Sequence, residues 1–115
     1  MKPIDDKNKY DFYCEEVLSG KIKVEAIYES ENIIAYYHTK PFYDLHIVVV
    51  PKEHISDLTY IDDKHKDLIW EITQTAKDII KKFLPKWKGI GLITNFGDYQ
   101  DSLHLHFYIG VREYF

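Results

Sequence analysis

Two periodicities run along the chain, a short alternating one in the first half and a long helical one past the midpoint. "KVEAIYES" (residues 23–30) and "NIIAYYHT" (32–39) are rich in β-branched and aromatic residues and meet at Ser30-Glu31-Asn32, which predicts a β-hairpin. "LHIVVVP" (45–51) is a buried-type strand stopped by Pro51. From Asp62 to about Phe83, Leu68, Ile72, Ala76, Ile79 and Phe83 recur at steps of three or four, the mark of a helix with one buried stripe. Pro85 and Gly89 end it. "IGLITN" (90–95) then predicts a fourth strand, residues 96–100 a loop around Gly97, and residues 103–109 a fifth strand. Before the hairpin, Phe12, Cys14, Glu15, Val17 and Leu18 with Gly20 behind them predict a short helix over 11–19. The expected fold class is α+β, with a five-stranded, mainly antiparallel sheet, one short helix and one long one.

In the last segment, "SLHLHFYIG" (102–110), strand alternation sends Leu103, Leu105, Phe107 and Ile109 to one face and Ser102, His104, His106 and Tyr108 to the other. Two imidazoles on one strand face either meet solvent or converge on a shared ion. The spacing alone decides neither.

At 115 residues with 45% hydrophobic content the chain suits a single domain, 1–115. Net charge is −4, with Lys and Arg interspersed among Asp and Glu, so no basic stripe points to nucleic acid. The single cysteine, Cys14, excludes an internal disulfide, and "MKPIDDKNK" lacks the apolar core of a secretory signal, giving a cytoplasmic expectation. No apolar run approaches the roughly 20 residues of a membrane helix. Ten tyrosines and two tryptophans suit an interface, and a homodimer is expected.

"QDSLHLHFYIGVR", with "NFG" before it and "HIVVVPKEH" in mid-chain, resembles the histidine triad family of nucleotide hydrolases and transferases, whose pattern is His-x-His-x-His followed by apolar residues. The resemblance covers most of the chain, from the helix around Cys14 to the final strand. It implies hydrolysis or transfer at the α-phosphorus of a nucleotide, such as a nucleoside phosphoramidate or a dinucleoside polyphosphate, through a nucleotidyl-histidine intermediate. His106 takes the nucleophile's place and His104 that of the supporting histidine. Imidazole suits the task because, with an unperturbed pKa of about 6.5, it keeps a lone pair near neutral pH. Tyr108 stands where the third histidine is expected. A phenol can donate a hydrogen bond to phosphate but does not cycle protons near pH 7, so slower turnover is expected.

The resemblance further places Asn95 and Gly97 in an Asn-x-Gly turn, makes Gln100 and Ser102 candidate phosphate donors, and matches Arg112 to an arginine after the triad. At the ribose position, where many relatives carry aspartate, this chain has His38. No dissociable cofactor is required. Several bacterial relatives hold a structural zinc, and the corresponding places here are Asp11, Cys14, His54 and His104, with Asp11 departing from the usual cysteine; a buried free cysteine beside a loop histidine is the simpler alternative. His46 is expected on the sheet face near the site, and His65, on the charged start of the long helix, to be solvated. The rival function is a catalytically weak nucleotide-binding module or a zinc-stabilised regulatory one, favoured by Tyr108 and His38.

Overall fold

The computed structural model describes residues 11–111; Arg112 lies outside them. A short helix with π-type hydrogen bonding (Tyr13–Val17) precedes β1 (Ala26–Glu29), β2 (Ile33–Tyr37) and β3 (His46–Pro51), then come α1 (Lys66–Phe83), β4 (Gly91–Ile93) and β5 (Phe107–Gly110). The strands form one sheet in the order β1-β2-β3-β5-β4, with every neighbouring pair antiparallel. The predicted hairpin, third strand and long helix are all present.

The central strands β2, β3 and β5 are buried on both faces, so strand alternation there sorts residues between two cores rather than between core and water. Ile33 and Ala35 of β2, Ile47 and Val49 of β3 and Ile109 of β5 face α1, meeting Ile72, Ala76 and Ile79. The opposite face carries Ile34, Tyr36, Val48, Val50 and Tyr108, covered by Tyr13 and Val17 of the short helix. Between these faces β3 is fully buried along all six residues, which explains why its sequence is an unbroken apolar run.

Two expectations need correction. The fifth strand begins at Phe107 rather than 103, because its partner β3 ends at Pro51, which has no N–H to continue the ladder. Residues 100–106 still run beside 51–56, held by Leu105 N–H to Ile55 O (2.6 Å), His104 Nε2 to Pro51 O (2.8 Å) and Gln100 Nε2 to Ser56 O (2.9 Å). His65, expected to be solvated, is buried: its Nδ1 accepts from Asp62 N–H in a capping box at the start of α1, and its Nε2 faces Glu53 Oε2 at 3.3 Å. The missing signal was the capping role, since histidine is not the usual residue at that position of the box.

Among the described residues no helix is long and apolar enough to cross a membrane.

Gly110 fixes the outer end of this arrangement. A Cβ there would stand 2.6 Å from Tyr43 Cδ2, and the Tyr43 ring packs on Phe42 and His46 with little room to retreat. Gly110→Ala is therefore expected to destabilise the protein by about 1–3 kcal/mol, as overpacking does; denaturant unfolding measures it, and an unchanged midpoint would show that the ring yields freely.

Candidate active site

The last two histidines of the sequence motif lie inside the molecule. His104 is 0% exposed and His106 2% exposed, so the reading in which they merely meet solvent is excluded. Burial makes the ring hydrogen bonds decisive, because each fixes a tautomer. The Pro51 carbonyl can only accept, so His104 Nε2 carries the proton and donates to it at 2.8 Å. In turn the carbonyl of His104 accepts from His106 Nδ1–H at 2.7 Å. That leaves the lone pair of His106 on Nε2, which has no hydrogen-bond partner among the described residues. Thr94 Oγ1 donates to the carbonyl of His106 at 2.8 Å and anchors the same residue from β4's end.

Desolvation lowers the pKa of His106, outweighing the backbone hydrogen bond from its Nδ1. Its ring is thus neutral near pH 7, the state in which imidazole is nucleophilic. Tyr108, two residues on, lies at 5.0 Å between ring centroids and near perpendicular. Burial pushes its phenol up to about 12, while a hydrogen bond received from Tyr13 works in the opposite direction. Tyr108 is therefore a hydrogen-bond donor and not a proton shuttle at neutral pH.

A cavity of about 600 Å³ opens here, lined by Phe12, Tyr13, Ile22, His38, Thr39, Lys40, Asp101, Ser102 and Tyr108. Its polar groups are mostly neutral donors. Ser102 Oγ accepts from Phe12 N–H at 3.3 Å, which leaves its own hydroxyl proton to give. His38 Nδ1 accepts from Lys40 N–H at 2.9 Å, which leaves a proton on Nε2, and burial lowers the pKa of His38. His46 stacks on His38 at 4.2 Å and meets Tyr108 edge-on at 4.5 Å, where the sequence placed it.

The site residues expected from sequence do not all converge. Tyr108, Ser102 and His38 line the cavity, and His106 stands behind its wall, beside Tyr13 and Tyr108. Gln100 is buried with its amide nitrogen committed to Ser56 O (2.9 Å) and Ser102 O (3.2 Å), so it shapes the loop instead of reaching into the cavity. Asn95 follows β4 and is not among the cavity's lining residues. Sequence reading missed Tyr13, which packs its ring 4.8 Å from that of His106. Nothing in its local spacing marks it, since its contact is made across more than ninety residues.

Beside the cavity, Asp11, Cys14, His54 and His104 bring one ligand atom each within 4.8 Å of one another. Asp11 Oδ2 lies 2.6 Å from His54 Nδ1 and 3.0 Å from His104 Nδ1, and Cys14 Sγ lies 3.4 Å from His104 Nδ1 and 4.0 Å from His54 Nδ1. With His104 Nε2 already donating, its Nδ1 is a lone pair facing a carboxylate and a sulfur. A carboxylate and an imidazole lone pair that face each other at 3.0 Å are satisfied by a cation, with the sulfur beside them as a further ligand. Ligands around tetrahedral zinc stand about 3.3–3.8 Å apart from the usual bond lengths, so the set fits once the two Asp11 contacts open and the widest separations, up to 4.8 Å, close, each by about 1 Å. Burial works against the Asp11 carboxylate, yet its contact with the His104 ring and the hydrogen bond from Cys14 N–H hold it well below the usual range. Burial, then the nearby Asp11, pushes the Cys14 thiol up to about 12; a bound metal reverses that, since it takes the thiolate.

Residues 12–112 match the family described as "Scavenger mRNA decapping enzyme C-term binding". A HIT-like protein of Helicobacter pylori is 32% identical over 97 residues, covering 83% of this chain and 90% of the relative. The chain belongs to the histidine triad family. Among solved structures, a histidine triad protein from Clostridium difficile is 28% identical with a TM-score of 0.75, covering 100% of this chain and 96% of that one. A HIT family hydrolase from Legionella pneumophila, at 22% identity, shares the fold with a TM-score of 0.78 over 91% of this chain and 95% of that one.

The buried histidines give this histidine triad protein a pH dependence. The unfolded chain protonates His46 near 6.5, whereas desolvation first, then the neighbouring His38 and His106, keeps it neutral in the fold down to about 4. Below 6.5 the unfolded state therefore binds more protons. Stability is expected to be full above about pH 6.5 and to fall as pH drops toward 4, with the slope reduced in His46→Leu; Tm measured across that window checks it, and parallel profiles for the two proteins would refute it.

Proposed function

We propose that the protein hydrolyses or transfers nucleotides, with His106 forming the nucleotidyl intermediate. The observation that carries the reading is the bond from His106 Nδ1–H to His104 O, which leaves the Nε2 lone pair on a buried neutral ring beside a nucleotide-sized cavity. In this reading Nε2 attacks the α-phosphorus as the bond to the leaving group breaks, and water then attacks the phosphorus and frees the imidazole. A phosphate leaving group departs as an anion and needs no proton. An amine takes one from solvent, because a phenol held at about 12 is a poor acid. Tyr108, Ser102 and His38 act as hydrogen-bond donors, the first two to the non-bridging oxygens whose charge grows in the transition state and His38 toward the sugar. Gln100 and Asn95 shape the loop between β4 and β5, and His104 positions His106. Substrates of this reading are nucleoside phosphoramidates and dinucleoside polyphosphates, and no dissociable cofactor enters it.

A structural zinc on Asp11, Cys14, His54 and His104 belongs to the same reading, as does a homodimer. For the dimer the support is β4, an edge strand with Leu92 exposed and followed by exposed Phe96 and Tyr99. The alternative, a catalytically weak nucleotide-binding module, is favoured by one observation, the phenol at 108.

Single-turnover assays with adenosine phosphoramidate and diadenosine polyphosphate separate the two. Turnover by the wild type with a loss on the order of 10³-fold or more in His106→Ala is expected. In the same assay Tyr108→Phe should lose rate and Tyr108→His should gain roughly 10²-fold, the lower range for a positioned acid–base group. A His106→Ala rate near that of the wild type overturns the mechanism, and AMP binding without turnover in any variant selects the alternative.

Metal analysis of protein purified without chelator should give close to one zinc per chain. Cys14→Ala should lower both metal content and Tm, because the binding energy contributes to folding. Metal-free wild-type protein would reject the site.

A further inference from the structure

Besides the packing of Tyr13 and Val17 in the second core, the segment that walls the cavity is tied by side-chain hydrogen bonds to His104 and its surroundings mainly at the acidic–cysteine–histidine cluster. Phe12, Tyr13 and Ile22 form one side of the cavity. Asp11 and Cys14 flank the first two of these and hold His54 and His104, and one further tie, Phe12 N–H to Ser102 Oγ, lies between them. Within the segment, Cys14 N–H donates to Asp11 Oδ1 at 3.0 Å, so the two cluster residues are also locked to each other across Tyr13.

Tyr13 is the element this clasp presents to the site. It is 4% exposed, and its ring lies 4.8 Å from that of His106 and 5.5 Å from that of His104. Its side chain also packs with Tyr108 in the second core, where the two phenols influence each other. One side chain therefore contacts the proposed nucleophile, its support and the residue in the third motif position.

We infer that Tyr13 is a positioning residue for the reaction, clamped by Asp11 and Cys14 so that the state of the cluster sets how His106 and Tyr108 meet a nucleotide. The inference rests on the reading of the cavity as a nucleotide site. Closing the cluster, by zinc or by its own hydrogen bonds, presses the ring onto His106 and aims the Tyr108 hydroxyl into the cavity. Opening it loosens both. By linkage, nucleotide in the cavity then tightens the cluster to the same degree.

The test is a double-mutant cycle between His54, which reaches only the cluster, and Tyr13, with two readouts. The first is AMP affinity by calorimetry. The second is the rate at which diethyl pyrocarbonate modifies His106, followed by peptide mass analysis, which needs no nucleotide. His54→Asn and Tyr13→Leu should each weaken AMP binding about tenfold, within the usual range of coupling between sites, and each speed His106 modification similarly. The double variant should be no worse than Tyr13→Leu alone, because the cluster acts through that ring. Tyr13→Phe, which keeps the ring, should retain AMP affinity and His106 shielding while kcat falls about tenfold with KM unchanged, since only the orientation of Tyr108 is lost. Chelating the wild type and restoring zinc gives the same comparison without substitution should His54→Asn fold poorly. Additive effects of the two substitutions, or a His106 modification rate indifferent to both, overturn the inference. A wild type that binds no AMP while the modification cycle remains non-additive overturns the nucleotide reading and leaves the clasp standing.

Discussion

The site depends on one imidazole whose every polar atom is engaged. His104 donates from Nε2 to the end of β3, turns Nδ1 toward Asp11 and Cys14 from the start of the chain, and offers its own carbonyl to His106. The first bond fixes the tautomer that makes the second interaction a lone pair, and the third fixes the tautomer of His106. Such a residue acts as a joint between three chain segments. In a fully dry position an unsatisfied nitrogen or carbonyl would cost on the order of 1–3 kcal/mol, so the three contacts support one another.

Around that joint, the cavity presents dipoles more than fixed charge. Its donors are a serine hydroxyl, a phenol and an imidazole whose pKa burial lowers, and the one cationic side chain, Lys40, is exposed across from an exposed Asp101. Neutral donors in a partly desolvated cleft are stronger than in water and need not be reoriented as charge develops on a phosphoryl group. The second core, rich in tyrosines 13, 36 and 108, supplies both the apolar wall and the hydroxyls from the same side chains.

Much of the fold was legible because its signals are local. The hairpin at Ser30–Asn32, the run ending in Pro51 and the stripe of α1 each lie within a short window, and the motif around His104 and His106 carried the family. What was not legible depends on distant partners. The burial of His65 needs Glu53 and Asp62, the start of β5 is decided by a proline more than fifty residues earlier, and Gln100 turns to the Ser56 carbonyl 44 residues away. Tyr13 is the sharpest case. In its own window it is one aromatic residue in a short helix, and its place over His106 comes from packing on β2, β3 and Tyr108 and from the cluster on either side of it.

The span between Asp11 and His104, 93 residues, also bears on how the molecule comes to exist. During synthesis at about 5–20 residues per second, the first half of the clasp waits roughly 5–20 s for its partner. Over that interval β3 has no neighbour on the side where β5 will pair, and the aromatic face of β2 and β3 has no strand beside it to anchor its cover. Strand insertion, closure of the clasp and formation of the cavity then depend on the same late stretch of chain. A polypeptide truncated before residue 104 keeps the hairpin and α1 in sequence but lacks both the strand that closes the sheet and the two buried histidines, so nascent chains acquire the complete sheet and the complete site in a single step.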